Sequence, residues 1–484
     1  MIGYMAESIA KNTVFMTVAS VLQKVISSVY FFLLAHQLEI EGVGKYVFAL
    51  SFTSMFVVLV DCGLTNILIR EASKVRNRLE SYLHTILSGK IFLGSISYAA
   101  VIIVINALGY PAETKVLVYL SGVTMLFDSL HLTLYGALRS LGNLKYEAIG
   151  MVGSQALTFV LGSVFLFFHL PLIFFILAFT ISSLLNLLAA AYIISHKHKL
   201  SLIPKWNQGH FFELLKMAIP FAFAAIFARV YSSVDALFLS LYLGDRAVGW
   251  YSLPAKIVSA FQFIPLALIA ALYPKFSTYF VKDKAQLANT FELAIKYVLL
   301  LSVPIAVGIG LLASDIIHVF KSSYAPAILP LQILVFSLIF SYISFPIGAI
   351  LNACNRQTTQ TVLLGIIMIV NIFLNILYIP LFGIVGSAIA ALVCNIILAV
   401  AGYIVTIKVI AFSHRFMICT VLQVGFAGSI MGGVVWWLAR VTDKLLLTIV
   451  VGVVIYSLGL LVSRAVTLRQ LIDATHLFSL RSSL

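Results

Sequence analysis

At 484 residues, 62% hydrophobic and only 10% charged, the chain is too apolar for a soluble globular fold, which averages about 45–50% apolar and roughly 25% charged residues. Its formal charge of +14 invites a nucleic-acid reading, but basic residues gather in short loops between apolar runs. That is the positive-inside pattern of a membrane protein, and no nucleic-acid partner is expected. Backbone polar groups in lipid must be bonded internally, so spans are helices or a closed barrel. Continuous apolar runs of about 20 residues select helices and exclude barrel strands, which are shorter and alternate.

Taken in chain order, residues 1–10 lack the basic start of a signal peptide, and the first apolar run leads directly into further spans. Fourteen transmembrane helices are predicted at roughly 12–36, 45–69, 83–108, 116–138, 147–168, 172–195, 217–241, 248–272, 297–319, 331–351, 361–379, 385–407, 417–438 and 445–463. The tightest turn among them is His169–Pro171. With the N-terminus inside, 21 of the 31 Lys and Arg residues fall in inner segments and 6 in outer ones. This predicts both termini in the cytoplasm.

The chain also repeats itself. Lys24-Val-Ile-Ser27-Ser28-Val29 aligns with Arg229-Val-Tyr-Ser232-Ser233-Val234 at an offset of 205, and the register continues through Val43/Val248, Gly44/Gly249 and Tyr46/Tyr251. Nine of 23 positions are identical without a gap. A repeat unit of six spans enters the membrane in one direction both times, predicting two parallel six-helix bundles plus two extra C-terminal helices. The expected domains are 1–196, a basic cytoplasmic linker 197–216, a second bundle 217–408, and 409–484 with helices 13 and 14 and a cytoplasmic tail.

No phosphate loop, zinc-protease or nucleophile-elbow motif is present, so no enzyme activity and no cofactor are expected. Cys62, Cys354, Cys394 and Cys419 lack metal-ligand spacing and read as small apolar fillers; no metal is expected. The informative residues are ionisable ones at membrane depth, since a charge at the centre of a span costs about 2.5–3.5 kcal/mol. Lys24 and Arg229 lie mid-span at repeat-equivalent positions, with Ser27, Ser28, Ser232 and Ser233 on the same helical faces. Lys256 and Lys90 lie closer to span ends, where snorkelling competes as an explanation. These cations and hydroxyls, Lys24, Arg229, Lys256, Lys90, Ser28 and Ser233, are the candidate lining of a cavity that binds an anion, phosphate above all. Asp61, Asp128 and Asp235, with His131 three residues after Asp128, either couple transport to an ion or proton or simply neutralise the buried cations. Pro220, Pro265, Pro304 and Pro346 are expected to bend spans 7 to 10. Gly428-x-x-x-Gly432 permits a close helix contact.

Several short motifs recur in a recognisable order: Gly42-Val-Gly44-Lys-Tyr46, Asp61-Cys-Gly63-Leu64 followed by Arg70, Gly136-Ala-Leu-Arg139, Val248-Gly249-Trp-Tyr251, Leu272-Tyr-Pro274, and Pro380-Leu-Phe-Gly383-Ile-Val-Gly386-Ser-Ala388. With these the chain resembles the Wzx-type polysaccharide flippases of the multidrug/oligosaccharidyl-lipid/polysaccharide (MOP) exporter superfamily along essentially its whole length. The resemblance implies two bundles around a central cavity that alternates between membrane faces. It implies a polyprenyl-diphosphate-linked oligosaccharide as substrate, a place in the cell membrane among its lipids, and polysaccharide polymerase or ligase components as candidate partners. A lipid II flippase shares the diphosphate and is the nearest alternative. A drug/cation antiporter would be expected to centre on acids rather than bases. A glycosyltransferase or polymerase would need a large outer loop, and the predicted outer loops are around ten residues or shorter.

Overall fold

The computed structural model describes residues 2–442 and 444–466, with side chains from Phe15 onward. The tail expected after the last span, with Arg469 and Arg481, lies outside the described residues. Every described element is helical: α1 (Ile2–Gln37), α2 (Ile40–Asp61), α3 (Leu64–Lys74), α4 (Leu79–Ala107), α5 (Ala112–Ser140), α6 (Lys145–Phe167), α7 (Ile173–Tyr192), α8 (Gln208–Leu243), α9 (Asp245–Phe261), α10 (Phe263–Lys282), α11 (Lys284–Leu311), α12 (Ala313–Phe320), α13 (Ile328–Ala353), α14 (Gln357–Phe382), α15 (Ile384–Ile407), α16 (His414–Val441) and α17 (Leu445–Val462), with short 3-10 and π turns between some of them. Among the described residues, 14 stretches are long and apolar enough to cross a membrane. The protein is thus an all-α, multi-pass membrane protein.

Three predicted spans prove to be broken helices, and local chemistry explains where. The second span breaks at Cys62–Gly63, both left-handed (φ 42° and 77°), and restarts as α3. Asp61 braces the restart: its carboxylate accepts from the Gly63 N–H (3.1 Å), a backbone donor that the new helix N-terminus leaves free, and from the Thr65 hydroxyl. The eighth span breaks between α9 and α10, and Pro265 is the third residue of α10, where its missing N–H leaves no bond unmade. The ninth span breaks at Leu312 between α11 and α12. By contrast Pro220, Pro304 and Pro346 sit inside α8, α11 and α13 without ending them. The predicted turn at His169–Pro171 separates α6 from α7, with His169 at φ 52°.

The chain packs as two compact units, Met1–Ala260 with Leu364–Ile384, and Phe261–Leu363 with Val385–Leu484. They are not the two sequence halves: α8, α9 and most of α14 belong to the same unit as the first seven helices. In the first unit α2 lies against α4, α5 and α8, α5 against α7, and α1 against α6. Its core runs along α3, α4 and α5 through Leu64, Leu68, Leu83, Ile86 and Leu138, and takes in Phe211 and Leu214 of α8. In the second unit α11 packs on α10, α13 and α16, around Phe276, Phe291, Val424, Met431 and Tyr456. The Gly428/Gly432 pair serves this packing: a Cβ at Gly428 would stand 2.7 Å from Val303 of α11, and one at Gly432 3.1 Å from Val307.

Candidate functional site

The first unit contains an open cavity of about 510 Å³, within the range of about 300–1,000 Å³ usual for ligand pockets. Helices α1, α2, α6, α7, α8 and α9 line it. Its chemistry is one amine, Lys256, and one carboxylate, Asp235, among hydroxyls, rings and the Gln155 amide. Lys256 Nζ donates to Ser27 Oγ (2.9 Å) and stands 5.7 Å from the centre of the Phe31 ring. Ser51, Thr158, Ser232, Ser252 and Ser259 supply hydroxyls, and Tyr46, Phe179 and Tyr251 supply rings. Lys24, half-buried one turn before Ser27, is within electrostatic reach of Lys256. Among the described residues neither lysine has a carboxylate within ion-pair distance. The cavity's carboxylate, Asp235, accepts from Asn375 and Tyr251 rather than from a lysine, so two neighbouring ammonium groups among hydroxyls are left as a charge arrangement that an anion completes.

The repeat is written into this wall. Ser27 and Ser232 both line the cavity, as do Tyr46 and Tyr251, and each pair is repeat-equivalent. The repeat-equivalent glycines meet: a Cβ on Gly44 would lie 1.8 Å from the Asp245 carbonyl oxygen, and one on Gly249 would lie 2.1 Å from that of Ile40. The N-terminal ends of α2 and α9 therefore cross backbone to backbone. A polar seam flanks the crossing: Tyr110 Oη donates to Ser240 Oγ (3.0 Å), and Ser240 Oγ and Thr114 Oγ1 donate to the Asp245 carboxylate (2.9 and 3.3 Å). Tyr110, in the loop between spans, has its phenol pushed up to about 12 by burial, so it remains a donor at any physiological pH.

A second cavity of about 320 Å³ shares Leu50 and Phe179 with the first and holds Asp128, His131 and Arg229. Asp128 accepts from the Ser183 hydroxyl, and His131 Nδ1 lies 3.6 Å from the Asp128 carboxylate. Here the structure departs from the expected symmetric pair of Lys24 and Arg229: Lys24 neighbours Lys256, while Arg229 faces the cavity of Asp128. Between the two cavities Ser54 and Ser233 hydrogen-bond to one another (2.8 Å), so Ser233 is engaged. Ser28 is buried and does not line either cavity; its neighbour Ser27 does. One residue along a helix is a rotation of about 100°.

Lys90 is elsewhere altogether. It is 1% exposed, and its ammonium donates to Asp61 Oδ1 (2.6 Å), Thr65 Oγ1 (2.9 Å) and the Ser129 carbonyl (3.0 Å). All three donor positions are used, and neither Lys90 nor Asp61 lines either of these two cavities. Asp235 differs again. Asn375 Nδ2 and Tyr251 Oη donate to it (2.8 and 3.1 Å), and it has no basic partner at ion-pair distance among the described residues. Beside it the side-chain oxygens of Asn371 and Asn375 are buried without any hydrogen bond. Sequence reasoning missed these asparagines, along with Gln155 and Thr158 of α6. The four-residue spacing of Asn371 and Asn375 inside an apolar span was the available signal.

A family model described as "Polysaccharide biosynthesis protein" matches residues 9–280, and one described as "MatE" matches residues 220–377. Among curated proteins the chain is similar to the "Probable flippase AglR" of Haloferax volcanii, 26% identical over 34% of this chain and 35% of that one. It is also similar to the same organism's "Probable low-salt glycan biosynthesis flippase Agl15", 27% identical over 42% of this chain and 44% of the relative. The matched stretch thus spans less than half the length of either. Among solved structures, a lipid II flippase MurJ in an inward closed conformation superposes with a TM-score of 0.76 at 18% identity, covering 92% of this chain and 98% of that one. At that identity the likeness speaks for the fold alone. The family match runs over more than half of the chain, and the protein therefore belongs to the polysaccharide biosynthesis protein family.

Proposed function

We propose that this protein is a flippase. It moves a polyprenyl-diphosphate-linked oligosaccharide across the cytoplasmic membrane by alternating access, for polysaccharide biosynthesis, with both termini cytoplasmic. The observation that carries the reading is Lys256, an ammonium group among the hydroxyls and rings of the cavity with a second lysine, Lys24, beside it and no carboxylate at ion-pair distance from either among the described residues. A diphosphate supplies the missing charge and accepts from the surrounding hydroxyls. Membership of a polysaccharide biosynthesis family and the flippase names of the two archaeal relatives support the same substrate class. A drug/cation antiporter is the second reading, because Asp235 also lines the main cavity without a basic partner at ion-pair distance; the neighbouring ammonium groups of Lys256 and Lys24, which repel a cation, favour the diphosphate. A lipid II flippase shares the diphosphate and is separated from the main reading by its sugar.

With the N-terminus inside, the α2/α9 crossing lies toward the outer face, and the cavity would fill from the inner leaflet. The repeat halves 1–196 and 217–408 are proposed as the bodies that rock, with opening of the Gly44/Gly249 contact as the step that releases lipid outward. If transport is coupled, Asp235 is the residue for it. Asp61 is spent on Lys90, and Asp128 faces Arg229; Asp235 alone pairs with no base and neighbours two uncommitted amide oxygens, so it can take up a proton or a small cation. Polymerase or ligase components are proposed as partners that take the product at the outer face.

The test is reconstitution. Purified protein in liposomes containing a fluorescent polyprenyl-diphosphate oligosaccharide should make label accessible from the opposite leaflet over time, above protein-free vesicles. Folded protein that moves none of a broad panel of lipid-linked sugars would overturn the proposal.

A further inference from the structure

Gln155 lies in the third turn of α6 and lines the main cavity. It is only 9% exposed, yet its side-chain amide makes no hydrogen bond to any described residue. Its amide atoms are also absent from the sealed, partnerless groups, so the exposure it keeps is toward the cavity. A buried amide left unpaired is costly, and in folded proteins such groups almost always find a partner, so one left open toward a cavity is available to whatever fills it. Beside it on the same helical face stand Thr158, whose hydroxyl is committed to the Ser154 carbonyl (2.9 Å), and Gly162, over which Tyr30 is seated: a Cβ at Gly162 would lie 2.1 Å from Tyr30 Oη. The Tyr30 hydroxyl is itself buried without a partner. The wall formed by α1 and α6 therefore carries two neutral polar groups that the protein does not satisfy.

We infer that Gln155 is a specificity-determining residue that reads the sugar attached directly to the diphosphate, through that sugar's hydroxyl or acetamido group. The inference rests on the flippase reading above and deepens it. Three chemistries share one cavity: the Lys256 ammonium, with Lys24 beside it, for phosphate, the rings of Phe31, Tyr46 and Phe179 for the apolar face of a pyranose, and an uncommitted amide. A carboxamide presents one acceptor and two donors in a plane. That suits a hydroxyl, which both gives and takes a hydrogen bond, or an acetamido group, which can pair with it twice. A prenyl tail has nothing to offer it, and phosphate offers acceptors only. Because a site built to hydrogen-bond a substrate group discriminates against analogues lacking it, Gln155 sets a preference among sugars rather than the ability to hold diphosphate.

The experiment uses full-length protein in liposomes and three fluorescent probes: polyprenyl diphosphate bearing one N-acetylhexosamine, the same lipid bearing one hexose, and the bare polyprenyl diphosphate. The readout is the ratio of the flipping rate of each sugar-bearing probe to that of the bare lipid. Gln155→Leu should lower the better of the two ratios about ten-fold, the equivalent of one hydrogen bond of about 1.4 kcal/mol. Gln155→Glu keeps size and acceptor but loses the donors, and should change the preference between acetamido and hydroxyl sugars; it serves if the leucine variant does not fold. Ratios unchanged in a folded variant overturn the assignment of Gln155, with the amide then merely hydrated. Wild-type protein that moves none of the three probes overturns the flippase reading itself, a separate and distinguishable result.

Discussion

Two lysines of the first unit, both drawn into the apolar depth of the protein, have opposite surroundings. Lys90 meets a carboxylate, a hydroxyl and a carbonyl, which use every proton it can donate, and it holds Asp61 where Asp61 also caps α3 across the Cys62–Gly63 break. Lys256 meets one serine hydroxyl, an aromatic ring and another lysine. A buried cation supplied with its counter-charge is part of the scaffold. One supplied only with hydroxyls and a like charge is unfinished until an anion arrives. The contrast explains why membrane depth alone does not identify a binding residue, and it can be broken by experiment.

The largest effect expected is on Lys90. Lys90→Ala leaves the Asp61 carboxylate buried and unpaired and should destabilise the protein by about 3–5 kcal/mol; thermal unfolding in detergent reads it as a steep fall in melting temperature or loss of folded yield. Restoring neutrality in Lys90→Met with Asp61→Asn should recover most of that loss, because well-packed neutral replacements of a buried pair are often tolerated. A double variant no better than Lys90→Ala would show that the helix break, not the charge, is what Lys90 supports. Lys24→Ala with Lys256→Ala should behave oppositely, with melting temperature unchanged or raised as two like charges leave the interior. Flipping should fall about 100-fold, since hydrogen bonds to charged groups contribute about 1.5–3 kcal/mol each. Transport that survives in the double variant refutes the diphosphate assignment. Ser27→Asp would convert the Lys256 site into a copy of the Lys90 site; flipping should drop at least ten-fold while stability holds, because the new carboxylate competes with the substrate for the amine. The smallest effect is Ser27→Ala, which removes one hydrogen bond and should slow transport by about ten-fold or less.

Much of this architecture was legible in the chain. Span number follows from hydropathy because lipid demands about 20 apolar residues per crossing, and all 14 spans are present. Broken spans were harder to see: Asp61-Cys62-Gly63 and the residues before Pro265 end a helix through backbone geometry, which leaves average hydropathy nearly untouched. The site was legible in kind but not in detail. Lys256 was visible as a charge in an apolar run, and the repeat register pointed to Ser27/Ser232, Gly44/Gly249 and Tyr46/Tyr251. It did not show that Lys24 would stand near Lys256 and Arg229 near Asp128, because pairings between helices depend on rotation and on which helices touch.

What the sequence by itself determined is whatever the bilayer enforces along one dimension: helical spans, their number, the depth of each charge and the duplication of the first two helices of each half. What only the tertiary structure decided is which buried charges are satisfied. Asp61 is 29 residues from Lys90, Ser27 is 229 residues from Lys256 and Asn375 is 140 residues from Asp235. Over such separations, hydrogen-bond partners are chosen by the packing of whole helices. A structural ion pair and an open anion site therefore read alike in the chain, as a lysine in an apolar span, until the helices are assembled.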